Sequence, residues 1–167
     1  MACKTLTYPL AFLLAGHVFA GDSPETSSQT SRLTCGHSTV TVSTTCRVEK
    51  LAGFPVCQAQ AFTFTSHHQQ FSRQAAGMLM RPNPPEPALL DYLASDWACQ
   101  AGQQGHYLVV RYHNGGNCPV CEWHMIYDLR GTALTTRRKA SFAQQQARLG
   151  LSSPVSMHSI PIPFDGD

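Results

Sequence analysis

Cys118 and Cys121, in Cys-Pro-Val-Cys, are the pair of residues in this chain best equipped for chemistry. Thiols at that spacing can close on each other, exchange with other disulfides or hold a metal, and either alone can be a nucleophile. His113, Glu122, His124 and Asp128 stand close by in the sequence, so bases, acids and nitrogen ligands are at hand.

Four arrangements of these residues can be weighed. In the first, the cysteines are structural, bonded to each other across a loop or each to another cysteine, with Gly115 and Gly116 letting the backbone turn sharply beside them. In the second they form a thiol–disulfide oxidoreductase site. A strand followed by Cys-Pro-x-Cys resembles the start of a thioredoxin-like active site of the oxidising periplasmic kind, and Pro161, 40 residues after Cys121, is similar in placement to that family's cis-proline. The resemblance implies a long helix after Cys121, whereas Glu122 to Tyr127 alternates with period two, and the sequence ends too soon after Pro161 for the family's last strands and helix. In the third, His113 and His124 join the two sulfurs around a zinc ion, making a zinc-stapled module. In the fourth, one cysteine is a nucleophile with His113 or His124 as base and Glu122 or Asp128 as orienter. The structural reading fits best, because the oxidoreductase lacks its helix, zinc knuckles usually work with a second pair of ligands, and a paired cysteine cannot be a nucleophile.

The surrounding elements explain why. From Gly105 to Ala133 the chain reads GHYLVVRYHNGGNCPVCEWHMIYDLRGTA. Leu108, Val110 and Tyr112 share one face of a strand, and Trp123, Met125 and Tyr127 share one face of the next. Paired as a hairpin, these strands put Arg111, His113, Glu122 and His124 together on the opposite, polar face. Asp128 and Gly131 occupy the first and fourth positions of a type I turn, with Thr132 to Thr136 as the returning strand of a meander. The cysteines fall at the bend, in a loop of Asn114, Gly115, Gly116, Asn117, Pro119 and Val120 that can serve as a rigid binding loop. Exposed Trp123 or Tyr112 would be its anchors, although both are better placed as core.

Upstream, Val40, Val42, Thr44, Cys46 and Val48 alternate with polar residues, as do Gln60, Phe62 and Phe64. Both are strands with one buried face, and as antiparallel neighbours they bring Cys46 or Cys35 near Cys57. Leu51 to Pro55 is a turn. His67 to Met80 is ambiguous and in part helical, and the adjacent His67 and His68 read as a solvated turn. Pro82, Pro84, Pro85 and Pro87 form a stiff linker, with Pro87 opening a packed helix over about residues 87–99. Leu89, Leu90, Tyr92, Leu93 and Trp97 cover one side of that helix, Cys99 ties it to the sheet, and Asp96 is a surface acid. A short helix over Ser141–Leu149, capped by Ser141, turns Phe142 and Leu149 inward. The tail from Ser159 through Pro161 and Pro163 is an edge segment.

Compartment follows from the ends. Residues 1–20 read as a signal peptide, with Lys4, an apolar run from Leu10 to Phe19 and a cleavage site after Ala20. Residues 21–32, GDSPETSSQTSR, read as a flexible polar leader, and residues 33–167 as one cysteine-stabilised domain. Cleavage removes Cys3 and leaves Cys35, Cys46, Cys57, Cys99, Cys118 and Cys121 as disulfide candidates in a periplasmic or secreted protein. Loss of Lys4 lowers the formal charge from +2 to +1, too near neutrality to indicate nucleic acid, and the mature chain has no apolar run of membrane length. Arg137-Arg138-Lys139 reads as a solvated turn. No phosphate loop, dinucleotide fingerprint, HExxH or GxSxG motif is present.

The sequence therefore predicts an α+β, mainly antiparallel, disulfide-stapled fold with two helices and no cofactor or metal. Its size and compartment are similar to those of small bacterial periplasmic proteins, some of which inhibit cell-wall hydrolases or serve as immunity proteins. The expected function is non-enzymatic binding of a periplasmic protein partner, with thiol–disulfide exchange and a zinc-stapled module as the alternatives.

Overall fold

Alternating hydrophobicity over residues 40–48, 60–64, 108–112 and 123–127 favours strands, and two four-stranded sheets form. A computed structural model describes residues 26–48, 55–66, 69–74, 79–80, 89–137, 139–153 and 155–163. Its strands are β1 (Thr26–Cys35), β2 (Ser38–Val48), β3 (Pro55–Ser66), β4 (Gln69–Gln74), β5 (Leu79–Met80), β6 (Leu89–Leu90), β7 (Leu93–Gly102), β8 (Gly105–His113), β9 (Glu122–Tyr127) and β10 (His158–Ser159), with one helix, α1 (Lys139–Leu149), before β10. Strands β1-β2-β3-β4 make one antiparallel sheet, β10-β7-β8-β9 a second, and β5-β6 a small ladder. The signal peptide, residues 21–25 of the leader, residues 51–54, His67-His68 and the proline linker lie outside the described residues.

The inner faces of the two larger sheets share one core. Val40, Val42, Phe62 and Phe64 come from the first, and Trp97, Leu108, Val110, Tyr112, Trp123, Met125 and Tyr127 from the second. Phe62 lies 6.3 Å from Trp97 and 6.1 Å from Tyr127, ring centroid to ring centroid, so aromatic packing crosses the interface directly. A second cluster of Tyr107, Val109, Ile126, Leu149 and Leu151 sits on the outer face of the second sheet, beneath α1. Gly131, at φ +77°, closes the Asp128–Gly131 turn, and a Cβ there would come within 2.9 Å of the Phe64 ring. The turn is the expected one: Gly131 N–H donates to the Asp128 carbonyl at 3.0 Å, and Asp128 Oδ1 accepts from Arg130 and Thr132.

Three disulfides form among the described residues, Cys35–Cys99 between the two sheets, Cys46–Cys57 within the first and Cys118–Cys121 in the loop after β8. They fit an exported protein. The expected strands over Val40–Val48 and Gln60–Thr65 are present and antiparallel, with Cys46 opposite Cys57. The helix over residues 141–149 is present too and starts at Lys139, while the Ser141 hydroxyl accepts the Thr136 N–H rather than capping a first turn. The tail does form an edge, through β10 against β7.

Several expectations are corrected. Residues 26–32 of the expected leader are strand, because β1 lies at an edge where hydroxyl pairs such as Ser28–Thr45 (3.0 Å) and Thr30–Ser43 (3.3 Å) replace apolar packing. The expected packed helix over about residues 87–99 is instead strand from Leu93 onward. A bulge between Ala94 and Asp96 shifts the register, so Ala94 and Trp97, three residues apart, both reach the inner core and mimic helical spacing. Cys99 consequently ties strand β7, not a helix, to β1. Gln69 to Gln74, read as partly helical, is β4. Thr132 to Thr136 makes one bridge, Tyr127 to Ala133, rather than a strand, with Thr135 Oγ1 accepting the Ile126 N–H.

Candidate functional site

The β8–β9 hairpin sorts its side chains by parity. Leu108 faces Tyr127, Val110 faces Met125 and Tyr112 faces Trp123 on the core side. Arg111 faces His124 and His113 faces Glu122 on the other, so the predicted polar face is real. Trp123 and Tyr112 stack with centroids 4.2 Å apart and both are buried, which removes them as exposed anchors.

Asp96 from β7 joins that polar face. It is buried, not a surface acid, and its Oδ2 accepts from Arg111 Nε at 2.8 Å and from the same guanidinium's terminal nitrogen. Ser159 donates to the other carboxylate oxygen at 3.3 Å. Glu122 lies 3.8 Å from Arg111 and 3.9 Å from His124 Nε2, so the charges alternate along the face. Burial, partly opposed by Glu122, lowers the pKa of His124 from its ordinary 6.5, and the Phe142 ring packs 5.2 Å from the imidazole.

The loop between the strands is held at several points. Cys118 and Cys121 bond to each other with Cα atoms 5.0 Å apart. Cys121 N–H donates to the Cys118 carbonyl at 3.0 Å, Asn114 N–H to the Cys121 carbonyl at 3.2 Å, and Tyr92 Oη to the Val120 carbonyl at 3.0 Å. Both nitrogens of His113 serve the loop, Nε2 toward the Gly116 carbonyl at 3.0 Å and Nδ1 toward the Gly115 N–H at 3.1 Å. A Cβ on Gly116 would meet Cys121 Sγ at 2.6 Å, so only glycine allows the backbone to close over that sulfur. Within this frame Asn114, Gly115, Asn117, Pro119 and Val120 are exposed and Gly116 is half-buried. Val120 is 75% exposed, the one exposed large hydrophobic among the described residues.

Beside the loop lies a cavity of about 370 Å³, walled by Cys118, Pro119, Glu122, Trp123, His124, Arg137, Lys139 and Phe142. Arg137 lies over the Trp123 ring at 4.8 Å from its centroid, a cation–π contact, and Lys139 and Phe142 come from the first turn of α1. Trp123 keeps its indole N–H buried without a partner. Sequence reasoning passed over Arg137, Lys139 and Phe142. The signal was a basic run immediately before a helix, but its approach to the cysteine loop depends on α1 folding back across the sheet.

The bonded state of the cysteine pair bears on two of its readings. Cysteines bonded to each other supply neither a nucleophilic thiolate nor zinc-binding thiolates, and the His113 nitrogens are engaged by the loop backbone. No group of three or more His, Cys, Asp or Glu able to hold a metal occurs among the described residues. Strand β9, not a helix, follows Cys121, so the local architecture differs from the thioredoxin one. Comparison with protein-family models, curated proteins and solved structures gave no match.

Proposed function

We propose that this chain is an exported, non-enzymatic binding protein of the periplasm or the secreted space that presents residues 114–120 to a protein partner. Its action is that of an inhibitor or immunity protein against a secreted toxin or cell-wall hydrolase. The observation that carries this reading is Val120, 75% exposed between the bonded Cys118 and Cys121. A valine side chain so exposed buries little within its own chain, whereas against a partner it contributes burial without the usual ordering cost, because the disulfide and the Tyr92 hydrogen bond already fix the loop.

The test is capture from a periplasmic extract with the oxidised protein as bait, followed by titration of the captured protein. Val120→Asp is expected to weaken binding by roughly thirtyfold, as loss of a central anchor does. A partner that binds equally well after replacement of every residue from 114 to 120 would sink the proposal. Export itself is read from the N-terminus of protein recovered outside the cytoplasm, expected at Gly21.

A further inference from the structure

The cavity face of the same loop carries a separate chemistry. The two cysteines of the clasp are unequal: Cys118 is exposed and forms part of the cavity wall, whereas Cys121 is buried, with its sulfur under the Gly116 backbone. A thiolate attacking a disulfide must approach one sulfur in line with the S–S bond and expel the other. Of the two cysteines, Cys118 alone lines the cavity. Lys139 adds a cation to its wall, while its one carboxylate, Glu122, is turned toward Arg111 and His124. The wall charge thus favours an anion, and about 370 Å³ suits a small molecule, since ligand pockets run from roughly 300 to 1,000 Å³.

We infer that Cys118–Cys121 is an exchangeable disulfide whose cavity takes a small thiol bearing carboxylates. The thiolate RS⁻ attacks Cys118 Sγ, forming RS–S(Cys118) as the Cys118–Cys121 bond breaks. The electron pair leaves on Cys121 Sγ, which takes up the proton that the incoming thiol lost to solvent. A second RS⁻ attacks the substrate sulfur of the mixed disulfide, releasing RSSR and the Cys118 thiolate. Two thiols are oxidised and one protein disulfide is reduced, and the same steps in reverse close the clasp. The fold tolerates this because the ring spans only three residues in sequence and the hydrogen bonds from Tyr92, Asn114 and Cys121 hold the loop independently of the sulfurs. The other bridges are less open, as Cys35, Cys46 and Cys57 are buried and Cys99 is half-buried.

The experiment uses the oxidised full chain and two thiols of opposite charge, glutathione and cysteamine, and so needs no protein partner and fails or succeeds apart from the binding proposal. Each thiol's rate is divided by its rate with a linear small-molecule disulfide to remove intrinsic reactivity. Mass mapping after acid quench is expected to show glutathione on Cys118, with Cys35–Cys99 and Cys46–Cys57 intact. The corrected rate for glutathione should exceed that for cysteamine about tenfold, the lower end of what charge focusing in a cleft gives. Lys139→Gln should reduce that preference. Cys121→Ser, with no resolving thiol, should accumulate the Cys118 mixed disulfide when treated with oxidised glutathione. Equal corrected rates, an adduct on Cys121, or prior reduction of either other bridge would overturn the inference.

Discussion

The junction between the two sheets and the loop beyond β8 are both closed by disulfides, yet the bonds do opposite things. Cys35–Cys99 joins residues 64 apart in sequence, tying β1 of one sheet to β7 of the other beside the main core. Cys118–Cys121 joins residues three apart and touches solvent. In the chain-entropy account the cost removed from the unfolded state grows with the loop closed, giving about 4 kcal/mol for the first and about 1.5 kcal/mol for the second. One bond therefore specifies the fold and the other shapes a surface. Replacing Cys35 and Cys99 by alanine together is expected to cost about 4 kcal/mol, seen as a lowered urea midpoint. If that double variant were as stable as the parent, the junction would owe its stability to packing alone.

The junction has a polar counterpart to the disulfide. Gln60 is fully buried on β3, and its side chain reaches β7: Oε1 accepts the Ala94 N–H at 2.7 Å, while Nε2 donates to the Ala94 carbonyl at 3.0 Å and to Thr44 Oγ1 at 3.1 Å. Ala94 stands at the edge of the bulge, and Gln60 satisfies both its N–H and its carbonyl. Gln60→Leu keeps the volume and orphans a buried donor and an acceptor, with an expected loss of about 3 kcal/mol. Denaturant unfolding of this variant decides whether the bridge is an energetic tie or is replaced by water. At the loop, Cys118→Ser with Cys121→Ser is expected to cost only about 1.5 kcal/mol or less. A loss as large as that at the junction would erase the contrast between the two regions.

Legibility follows the same division. The hairpin around the cysteines could be read because both of its faces keep strict period-two parity, which placed Arg111, His113, Glu122 and His124 together and Trp123 and Tyr112 in the core. Strand β7 could not, since a bulge breaks its parity and the burial of Asp96, Trp97 and Ala98 in succession erases any polar face. Strand β1 was illegible for the opposite reason: its hydroxyl pairs stabilise an edge without the apolar residues that normally announce a strand. The cavity depends on Arg137, Lys139 and Phe142 meeting Cys118 across a stretch with no regular structure, a long-range approach that no local pattern encodes.

The smallest expected effect lies on the polar face of the hairpin. Burial lowers the His124 pKa below 6.5, with Arg111 and Lys139 acting in the same direction and Glu122 and Asp96 against it. Because the folded state holds this proton less tightly than the unfolded chain, the unfolded chain binds more protons as pH falls through 6.5 toward the folded value. Stability tied to the neutral ring is thus complete above 6.5, declines through that window, and is constant again below the folded pKa. The side chain is 30% exposed, which limits the size of the effect. Urea midpoints at pH 7.5 and pH 5 are expected to differ more in the parent than in His124→Gln, while the main core, which contains no ionisable side chain other than tyrosine and disulfide-bonded cysteine, contributes nothing to the difference. An identical acid loss in both proteins would show that the ring titrates as freely as in water, and that the outer face of the hairpin is open where the inner face is closed.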